Sequence, residues 1–247
     1  MLISVVIPTC DRPIEYVRKS IQSALDQSIQ PHEIILVDNG VTPINAESVP
    51  LDVIIHRSAP LIGPSMARNI GAMHATGSHL AFLDDDDWWD KRFLEEALNI
   101  MRAGPYQCVY GKLIQSRSGE LIEKTSLTKE DLTIDVLLKT NPGTGGINIL
   151  ISKELFENIG GFDEKLKISE DRSLAIEVLR TGAEIGVAPK ALAFARLHDG
   201  EQQKNRNSEK LKFVLKYRSL MPVALFLRHV LKFGIWIYIR PRQWRRR

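Results

Sequence analysis

Residues 79–89 read HLAFLDDDDWW, a mostly apolar run followed at once by four carboxylates. The first five residues have the length and composition of a buried strand, so the acids stand where that strand ends. We call residues 84–87 the acidic run. Four adjacent like charges repel one another, and a folded protein either solvates them or neutralises them with a cation. Carboxylate oxygens at a strand end suit Mg²⁺ or Mn²⁺ carrying phosphates. The simpler alternative is a solvated turn before a helix that begins near Trp89.

Three further short apolar runs precede this one, and helical patterns separate them. The predicted strands are residues 4–7, 33–37, 53–55 and 79–83. The predicted helices are residues 13–27 and 65–75. Strands that alternate with helices favour a largely parallel, doubly wound sheet, whose ligand crevice lies at the carboxyl ends of the strands.

Polar residues follow three of these predicted strands. Thr9, Asp38 and the acidic run all stand at strand ends, so we expect them on one rim. Asp38 is suited to accept hydrogen bonds from a nucleotide, and the alternative is an Asx turn with Asn39 and Gly40. Arg68 and Asn69, on the helix of residues 65–75, either face a phosphate at this rim or pair with surface carboxylates.

The second half of the chain has a different pattern. Its predicted elements are a hairpin of residues 108–114 with 120–122, a helix over 128–139 capped by Thr128 with Asp131, a strand over 147–151, a helix from Ser152 and a helix over 172–180. Glu170 and Asp171 open the last helix, where exposed N–H groups and the helix dipole favour a carboxylate. The alternative to a catalytic role is that Ser169 or Asp171 only caps this helix.

The composition is that of a globular protein with a substantial core. The chain has 247 residues, of which 44% are apolar and 26% charged, enough for one large domain or a domain with an appendage. Cys10 and Cys108 offer neither a disulfide framework nor a zinc pattern, so a reducing cytoplasm is the default location. The short apolar start lacks a basic leader and is interpreted as the first strand.

Charge is distributed unevenly along the chain. Residues 1–200 carry 20 Lys/Arg and 28 Asp/Glu, whereas residues 201–247 carry 13 and 2, giving net charges of −8 and +11. The basic end is also rich in Leu, Phe, Ile and Trp, but no charge-free run reaches the roughly 18–20 residues of a spanning helix. We therefore expect an interfacial helix on anionic lipid, with packing against the rest of the protein as the alternative. No nucleic-acid-binding module accompanies the charge, so we expect no nucleic acid partner.

In order along the chain, several motifs make it resemble the family 2 glycosyltransferases. They are residues 4–9 (SVVIPT), 33–38 (EIILVD), 67–71 (ARNIG), Gly77, 82–87 (FLDDDD, which contains DxD), 160–163 (GGFD) and 170–171 (ED). Each motif alone is weak, but their order and separation over about residues 2–200 are specific.

The resemblance implies a fold class and a domain division. The fold would be α/β, a GT-A-type doubly wound mixed sheet flanked by helices, with a C-terminal basic helical extension. Residues 1–205 would form the glycosyltransferase domain, with a nucleotide-sugar-binding half (1–107) and an acceptor and catalytic-base half (108–205). Residues 206–247 would be a basic amphipathic helical tail.

The resemblance also implies a reaction and a set of site residues. The reaction would be inverting, metal-dependent transfer of one sugar from a nucleoside-diphosphate sugar, with a UDP-sugar favoured. The residues implied to bind the donor are Pro8, Thr9, Asp11, Asp38, Arg68, Asp84 and Asp85. Asp86 and His198 would hold Mn²⁺ or Mg²⁺. Asp171 would be the general base for the acceptor hydroxyl.

The expected acceptor is a glycan or a lipid-linked glycan of cell-surface polysaccharide biosynthesis, reached from the inner face of the cell membrane. The family's processive polymerases carry a QxxRW motif, and residues 243–245 (QWR) have the wrong order and spacing, so we expect one sugar per event. Two alternatives remain open: a non-catalytic, membrane-associated nucleotide-sugar-binding module, and a sugar nucleotidyltransferase. The second would need a Gly-rich loop containing arginine where residues 8–12 read PTCDR.

Overall fold

A computed structural model describes residues 1–117, 119–123, 127–197 and 206–239. The strands are β1 (Ile3–Thr9), β2 (Glu33–Asp38), β3 (Val53–Arg57), β4 (His79–Phe82), β5 (Trp88–Trp89), β6 (Cys108–Arg117), β7 (Glu120–Glu123), β8 (Ile149–Ser152) and β9 (Ile185–Arg196). The helices are α1 (Ile14–Leu25), α2 (Pro64–His74), α3 (Phe93–Ala103), α4 (Ile134–Lys139), α5 (Lys153–Asn158), α6 (Glu170–Arg180), α7 (Arg206–Lys216) and α8 (Val223–Ile239).

Within these ranges the strands form one mixed sheet. Its order is β3-β2-β1-β4-β8-β6-β9-β5, and β7 pairs with β6 at the side. Strands β1 to β4 are mutually parallel, whereas β8 runs antiparallel to β4 and β6. The register pairs Thr9 with Asp38 and Val6 with Phe82, so β1, β2 and β4 end at the same edge. The predicted mixed, doubly wound sheet and the predicted hairpin are therefore confirmed.

The sheet is covered on both faces, which explains its continuous apolar strands. Val6 belongs to the core shared with α2, α4, α5, α6 and α7, whereas Val5 and Ile7 belong to the core shared with α1 and α3. All three side chains are fully buried. Because alternate residues of a strand point to opposite faces, a strand covered on both faces must be apolar throughout.

Helix α2 lies unusually close to the sheet. A Cβ atom at Gly71 would stand 2.3 Å from Cγ1 of Val6, so only glycine permits this approach. The glycine of the 67–71 motif therefore sets the distance between α2 and β1. It thereby determines where Arg68 and Asn69, one turn earlier, meet the edge of the sheet.

Two predicted helix starts are wrong. The helix expected near Trp89 begins at Phe93, because the tryptophan pair forms β5 and pairs antiparallel with β9. The helix expected from Thr128 begins only with α4, which is capped by the Thr133 hydroxyl. Thr128 does donate to Asp131 from its amide and hydroxyl, at 3.0 and 2.9 Å, but these bonds close a turn. Local polar pairing therefore stabilised a turn where a capping box was expected.

The first helix of the predicted tail packs on α6. Phe213 and Tyr217 are each 1% exposed and belong to the core beside α6. The Tyr217 hydroxyl lies 2.6 Å from Oγ of Ser173 and donates to Oε1 of Glu177 at 2.8 Å. For α7 the packing alternative is therefore realised, while a domain boundary at residue 206 stays a prediction.

Helix α8 is partly exposed. Leu225 and Phe226 pack against the core, but Val223, Leu227 and Leu231 are 74%, 50% and 61% exposed. These three residues recur every fourth position and so form one stripe along the helix. Among the residues described, no helix combines the length and apolar character needed to cross a bilayer.

We expect Phe213→Ala to lower the free energy of unfolding by about 3 kcal/mol, because it removes a buried aromatic ring from the core. Leu215→Ala is the matched control on the same helix, since Leu215 is 44% exposed and should cost less than about 1 kcal/mol. Urea denaturation measures both. Equal, small effects would contradict the inclusion of α7 in the folded core.

Candidate active site

A cleft of about 1130 Å³ opens at the carboxyl ends of β1, β2 and β4. The predicted site residues that line it are Pro8, Thr9, Arg68, Asp84, Asp85, Asp86 and Asp171. Asp11 and Asp38 are not among the lining residues, and His198 lies outside the described residues. The acidic run and the predicted base Asp171 are at least 84 residues apart in the sequence, and the structure places both in one cavity.

Asp38 is buried beneath the cleft rim rather than exposed in it. The residue is 2% exposed, and its carboxylate accepts hydrogen bonds from the amides of Gly40, at 3.0 Å, and Ile44, at 2.8 Å. Arg57 adds an ion pair at 2.8 Å. The Asx turn considered from the sequence is therefore present, and a contact between Asp38 and the nucleoside stays a prediction.

Asp11 is likewise used to hold a loop. Its carboxylate accepts hydrogen bonds from the amides of Val41 and Thr42, at 2.9 and 3.0 Å, which lower the pKa of Asp11. The residue adopts a left-handed φ of 49°. These bonds join the loop after β1 to the loop after β2, and a direct donor contact by Asp11 stays a prediction.

The members of the acidic run have different partners. Asp85 accepts hydrogen bonds from Thr9 Oγ1 at 2.9 Å and from Arg12 Nε at 3.0 Å. Arg12 Nη2 also pairs with Asp86 Oδ2 at 3.1 Å. Burial raises the pKa of Asp85, while the neighbouring Arg12 guanidinium opposes that rise. Arg12, which the sequence analysis passed over, thus covers two carboxylates of the run.

Asp87 faces away from these partners towards β9. It is buried and accepts a hydrogen bond from the Arg196 amide at 2.7 Å. Burial, followed by the neighbouring Asp84 and Asp86 charges, raises the pKa of Asp87 well above its usual range. Arg196 Nε also donates to the Asp86 carbonyl at 3.1 Å, so β9 stabilises the end of the run.

Arg68 connects the two walls of the cleft. Its guanidinium contacts Asp84 and lies 3.6 Å from Oε1 of Glu170, although the residue is only 3% exposed. The Phe162 ring lies 5.2 Å away, and a Cβ atom at Gly146 would stand 3.2 Å from Cζ of Arg68. Nε and Nη1 of Arg68 are buried and have no hydrogen-bond partner among the described residues. These unused donors are suited to an anionic ligand.

Asn69 is not among the residues that line the cleft, and its side chain binds the backbone of Phe162 instead. Its side chain donates to the Phe162 carbonyl and accepts from the Phe162 amide, both at 2.9 Å. A Cβ atom at Gly161, where φ is +69°, would stand 2.6 Å from Asn69 Oδ1. The ARN and GGF motifs are therefore in contact, and this contact joins α2 to the second half of the fold.

Asp171 lies in the first turn of α6. Ser169, at the N-cap position, has a left-handed φ of 68° and makes no capping hydrogen bond through its side chain. Burial and the adjacent Glu170 charge raise the pKa of Asp171 to about 7, against the opposing effects of the Arg172 amide and the Arg68 guanidinium. A carboxylate that titrates near neutral pH is suited to general base catalysis.

The donor chemistry of the acidic run fits a divalent ion. No group of three or more His, Cys, Asp or Glu side chains in the described ranges is arranged to hold a metal by itself. Mg²⁺ and Mn²⁺ with phosphate ligands need only one or two protein carboxylates, and water supplies the rest. Asp84, whose side chain is 34% exposed, and Asp86, at 11%, line the cleft and provide such oxygens.

Solved structures with the same architecture confirm the predicted GT-A fold. The structure of S. aureus TarS 1–349 in complex with UDP-GlcNAc superposes with a TM-score of 0.69 and 19% sequence identity, covering 94% of this chain and 71% of that one. The complex of the same protein with UDP gives a TM-score of 0.65 and 18% identity, covering 94% of this chain and 70% of that one.

The sequence relationship is more specific than the fold. The model of glycosyl transferase family 2 matches residues 4–160, and the chain belongs to this family. It is 28% identical over 228 residues to the putative teichuronic acid biosynthesis glycosyltransferase TuaG of Bacillus subtilis, covering 89% of this chain and 88% of TuaG. It is 29% identical to an uncharacterized glycosyltransferase of Rickettsia typhi, covering 81% of this chain. The chain spans 65% of that relative's length and 62% of a Haemophilus influenzae relative's length.

The raised pKa of Asp171 predicts a specific dependence of stability on pH. A folded-state pKa of about 7, above the roughly 3.9 of an unfolded aspartate, means that the folded state retains this proton longer. Asp171 therefore lowers the free energy of unfolding as pH rises from about 4 to 7. Asp171→Asn should remove this loss, so that the variant gains about 4 kcal/mol relative to the parent between pH 4 and pH 8.

Asp163→Asn is the control with the opposite sign. Burial alone would raise the pKa of Asp163, but the hydrogen bonds from Lys216 and from the Lys165 amide, together with the charges of these two lysines, outweigh it and the pKa is lowered. This variant should lose stability relative to the parent as pH rises through 4. Denaturation curves at several pH values measure both variants, and a pH-independent difference for Asp171→Asn would contradict the raised pKa.

Proposed function

We propose that the protein is an inverting glycosyltransferase that moves one sugar from a nucleoside-diphosphate sugar to an acceptor hydroxyl. The observation that carries this proposal is the bridge made by Arg68 between Asp84 on one wall of the cleft and Glu170 on the other. The bridge places a partly unsatisfied cation between the acidic run and Asp171. Anion binding and proton abstraction are thereby supported within one cavity.

The relatives support the donor and the biological setting. TarS, which shares the fold, was solved with UDP-GlcNAc and with UDP, and this favours a UDP-sugar donor here. TuaG is named for teichuronic acid biosynthesis, which favours an acceptor in cell-surface polysaccharide synthesis, either a glycan or a lipid-linked glycan. We further propose that the transferred sugar is a hexose and that the enzyme adds one sugar per event.

The residues of the cleft have separate chemical tasks in this reaction. Asp171 takes the proton of the acceptor hydroxyl as it attacks the anomeric carbon from the face opposite the diphosphate, which gives inversion. Arg68 supplies a positive charge at the cleft wall, which attracts the diphosphate. Asp86 and His198 are proposed to hold Mn²⁺ or Mg²⁺, and such an ion stabilises the negative charge of the leaving diphosphate.

The two alternatives explain less of the site. A non-catalytic nucleotide-sugar-binding module would use the acidic run and Arg68 but gives no reason for a carboxylate that titrates near pH 7 in the same cleft. A sugar nucleotidyltransferase would need a glycine-rich phosphate loop after β1, and there the chain has Pro8 and Thr9 instead.

The direct test is a panel of nucleotide sugars, incubated with Mn²⁺ and mixed glycan acceptors, with release of the nucleoside diphosphate followed by chromatography. We expect one donor to react and Asp171→Asn to lower its turnover by at least about 100-fold, the usual effect of removing a general base. Donor affinity, measured by calorimetry, should change little. Asp163→Asn is the control and should keep its turnover. Unaltered transfer by Asp171→Asn would contradict the assignment of the base.

We also propose that the exposed stripe of α8 and the basic C-terminal residues lie on the inner, anionic face of the cell membrane. The stripe of Val223, Leu227 and Leu231 supports this, as does the net charge of +11 over residues 201–247. Apolar side chains enter the lipid interface while basic ones attract anionic headgroups. An enzyme at this surface would meet lipid-linked acceptors from the cytoplasm.

Vesicle sedimentation tests the membrane proposal. Leu227→Ser/Leu231→Ser and truncation after Leu220 should each bind anionic phosphatidylglycerol vesicles about tenfold more weakly than the parent, because they remove the apolar contact. The control is Val41→Ser/Leu51→Ser, which removes exposed apolar surface elsewhere. The proposal is refuted if the parent protein does not bind anionic vesicles. It is also refuted if the control variant loses as much vesicle binding as Leu227→Ser/Leu231→Ser.

A further inference from the structure

One arginine side chain covers two carboxylates of the acidic run. Arg12 Nε lies 3.0 Å from Asp85 Oδ1, and Arg12 Nη2 lies 3.1 Å from Asp86 Oδ2. The Arg12 side chain is 33% exposed, whereas those of Asp85 and Asp86 are 8% and 11% exposed. All three side chains line the cleft, and that of Arg12 is the most exposed of them.

The backbone beneath Arg12 is held firmly. The preceding residue, Asp11, is tied through its carboxylate to the amides of Val41 and Thr42. Thr9, at the end of β1, donates to the same Asp85 carboxylate that Arg12 contacts. The main chain thus brings Arg12 to the cleft, and only its long side chain is left to change position.

Arg68, the arginine that contacts Asp84, is enclosed. Arg68 is 3% exposed, lies beside the Phe162 ring and is closely approached by Gly146. A change of its rotamer would require the surrounding core to open. Arg12 has no such enclosure, so of these two arginines Arg12 is the one that can leave its carboxylates without disturbing the fold.

A divalent ion on Asp86 would compete with Arg12. Ion and guanidinium would share the carboxylate that Nη2 now contacts, and a metal at about 2 Å from a carboxylate oxygen would come close to the arginine charge. Two cations at that separation in a partly buried site repel each other. A guanidinium released from Asp86 has a strong alternative partner in phosphate oxygens, to which it can donate two hydrogen bonds.

We propose that Arg12 is a displaceable counter-ion: it neutralises Asp85 and Asp86 until a divalent ion binds, and its guanidinium then turns to the diphosphate of the donor. Arg12 is in this view a positioning residue that couples metal binding to diphosphate binding. The inference rests on the proposed function, since it requires a cation at Asp86 and a diphosphate in the same cleft.

The test measures Mn²⁺ binding without any nucleotide, by electron paramagnetic resonance of the free ion. Arg12→Gln should bind Mn²⁺ about tenfold more tightly than the parent, because a competing positive charge is gone. At saturating Mg²⁺, the same variant should bind inorganic pyrophosphate about tenfold more weakly, because the released guanidinium is no longer there to donate to it. Arg12→Lys, which keeps the charge but not the paired donors, should fall between parent and Arg12→Gln in both measurements.

Arg92→Gln is the matched control. Arg92 also spans two carboxylates, with Nε 3.1 Å from Glu95 and Nη2 2.8 Å from Glu96, but it does not line the cleft. This variant removes the same charge and should leave Mn²⁺ affinity within about twofold of the parent, since salt screens distant charges. The double variant Arg12→Gln/Asp86→Asn should not show the tighter Mn²⁺ binding expected of Arg12→Gln. That result would show that the effect of Arg12 acts at Asp86.

The outcomes separate the two proposals. If the parent binds Mn²⁺ and Arg12→Gln and Arg12→Lys bind it no better, the role of Arg12 is refuted while a metal-dependent transferase stands. An equal gain in Mn²⁺ affinity for Arg92→Gln would also refute the role of Arg12, because the loss of any positive charge on the protein would then have the same effect. If neither the parent nor any variant binds Mn²⁺, with pyrophosphate present as well as without it, both the inference and the metal dependence of the proposed function fail.

Discussion

Repulsion within the acidic run is the constraint on which the rest of the site depends. Four consecutive carboxylates cannot all share one partner, and the run is stabilised from three directions. Arg68 on α2 contacts Asp84, the loop after β1 supplies Thr9 and Arg12, and the amide of Arg196 on β9 binds Asp87. Neutralising the run therefore requires that α2, β1 and β9 meet at the end of β4. The charges that prepare the cleft for a cation also hold its walls together.

Several motif residues act through packing rather than through chemistry. Gly71 permits α2 to lie against β1, and Asn69 binds the turn at Phe162. Between them, Arg68 reaches from the acidic run to α6. Helix α6 is itself held by α7 through Tyr217. The predicted base is thus supported from the tail side of the protein, so the segment expected to meet the membrane begins with a helix that is part of the catalytic fold.

Much of the fold was predictable from periodicity, because strands covered on both faces must be apolar and stand out as short runs. The predicted rim followed from the parallel strand ends. One wrong helix start arose where a distant contact decided the outcome. Trp88 and Trp89 form a strand because β9 is beside them, and nothing local distinguishes that pair from the start of a helix. The carboxylates of Asp38 and Asp11 accept hydrogen bonds from nearby amides, and their contact with a donor stays a prediction.

The fold class, the family resemblance and the position of the acidic run at a strand end can be inferred from residue order and local pattern alone. Which charges meet depends on how the chain folds. The tertiary structure placed Arg12 over Asp85 and Asp86, and it surrounded Asp171 with the burial and like charge that raise its pKa to about 7. Ion pairing and desolvation depend on distances between segments far apart in the chain, and no spacing along the sequence encodes those distances.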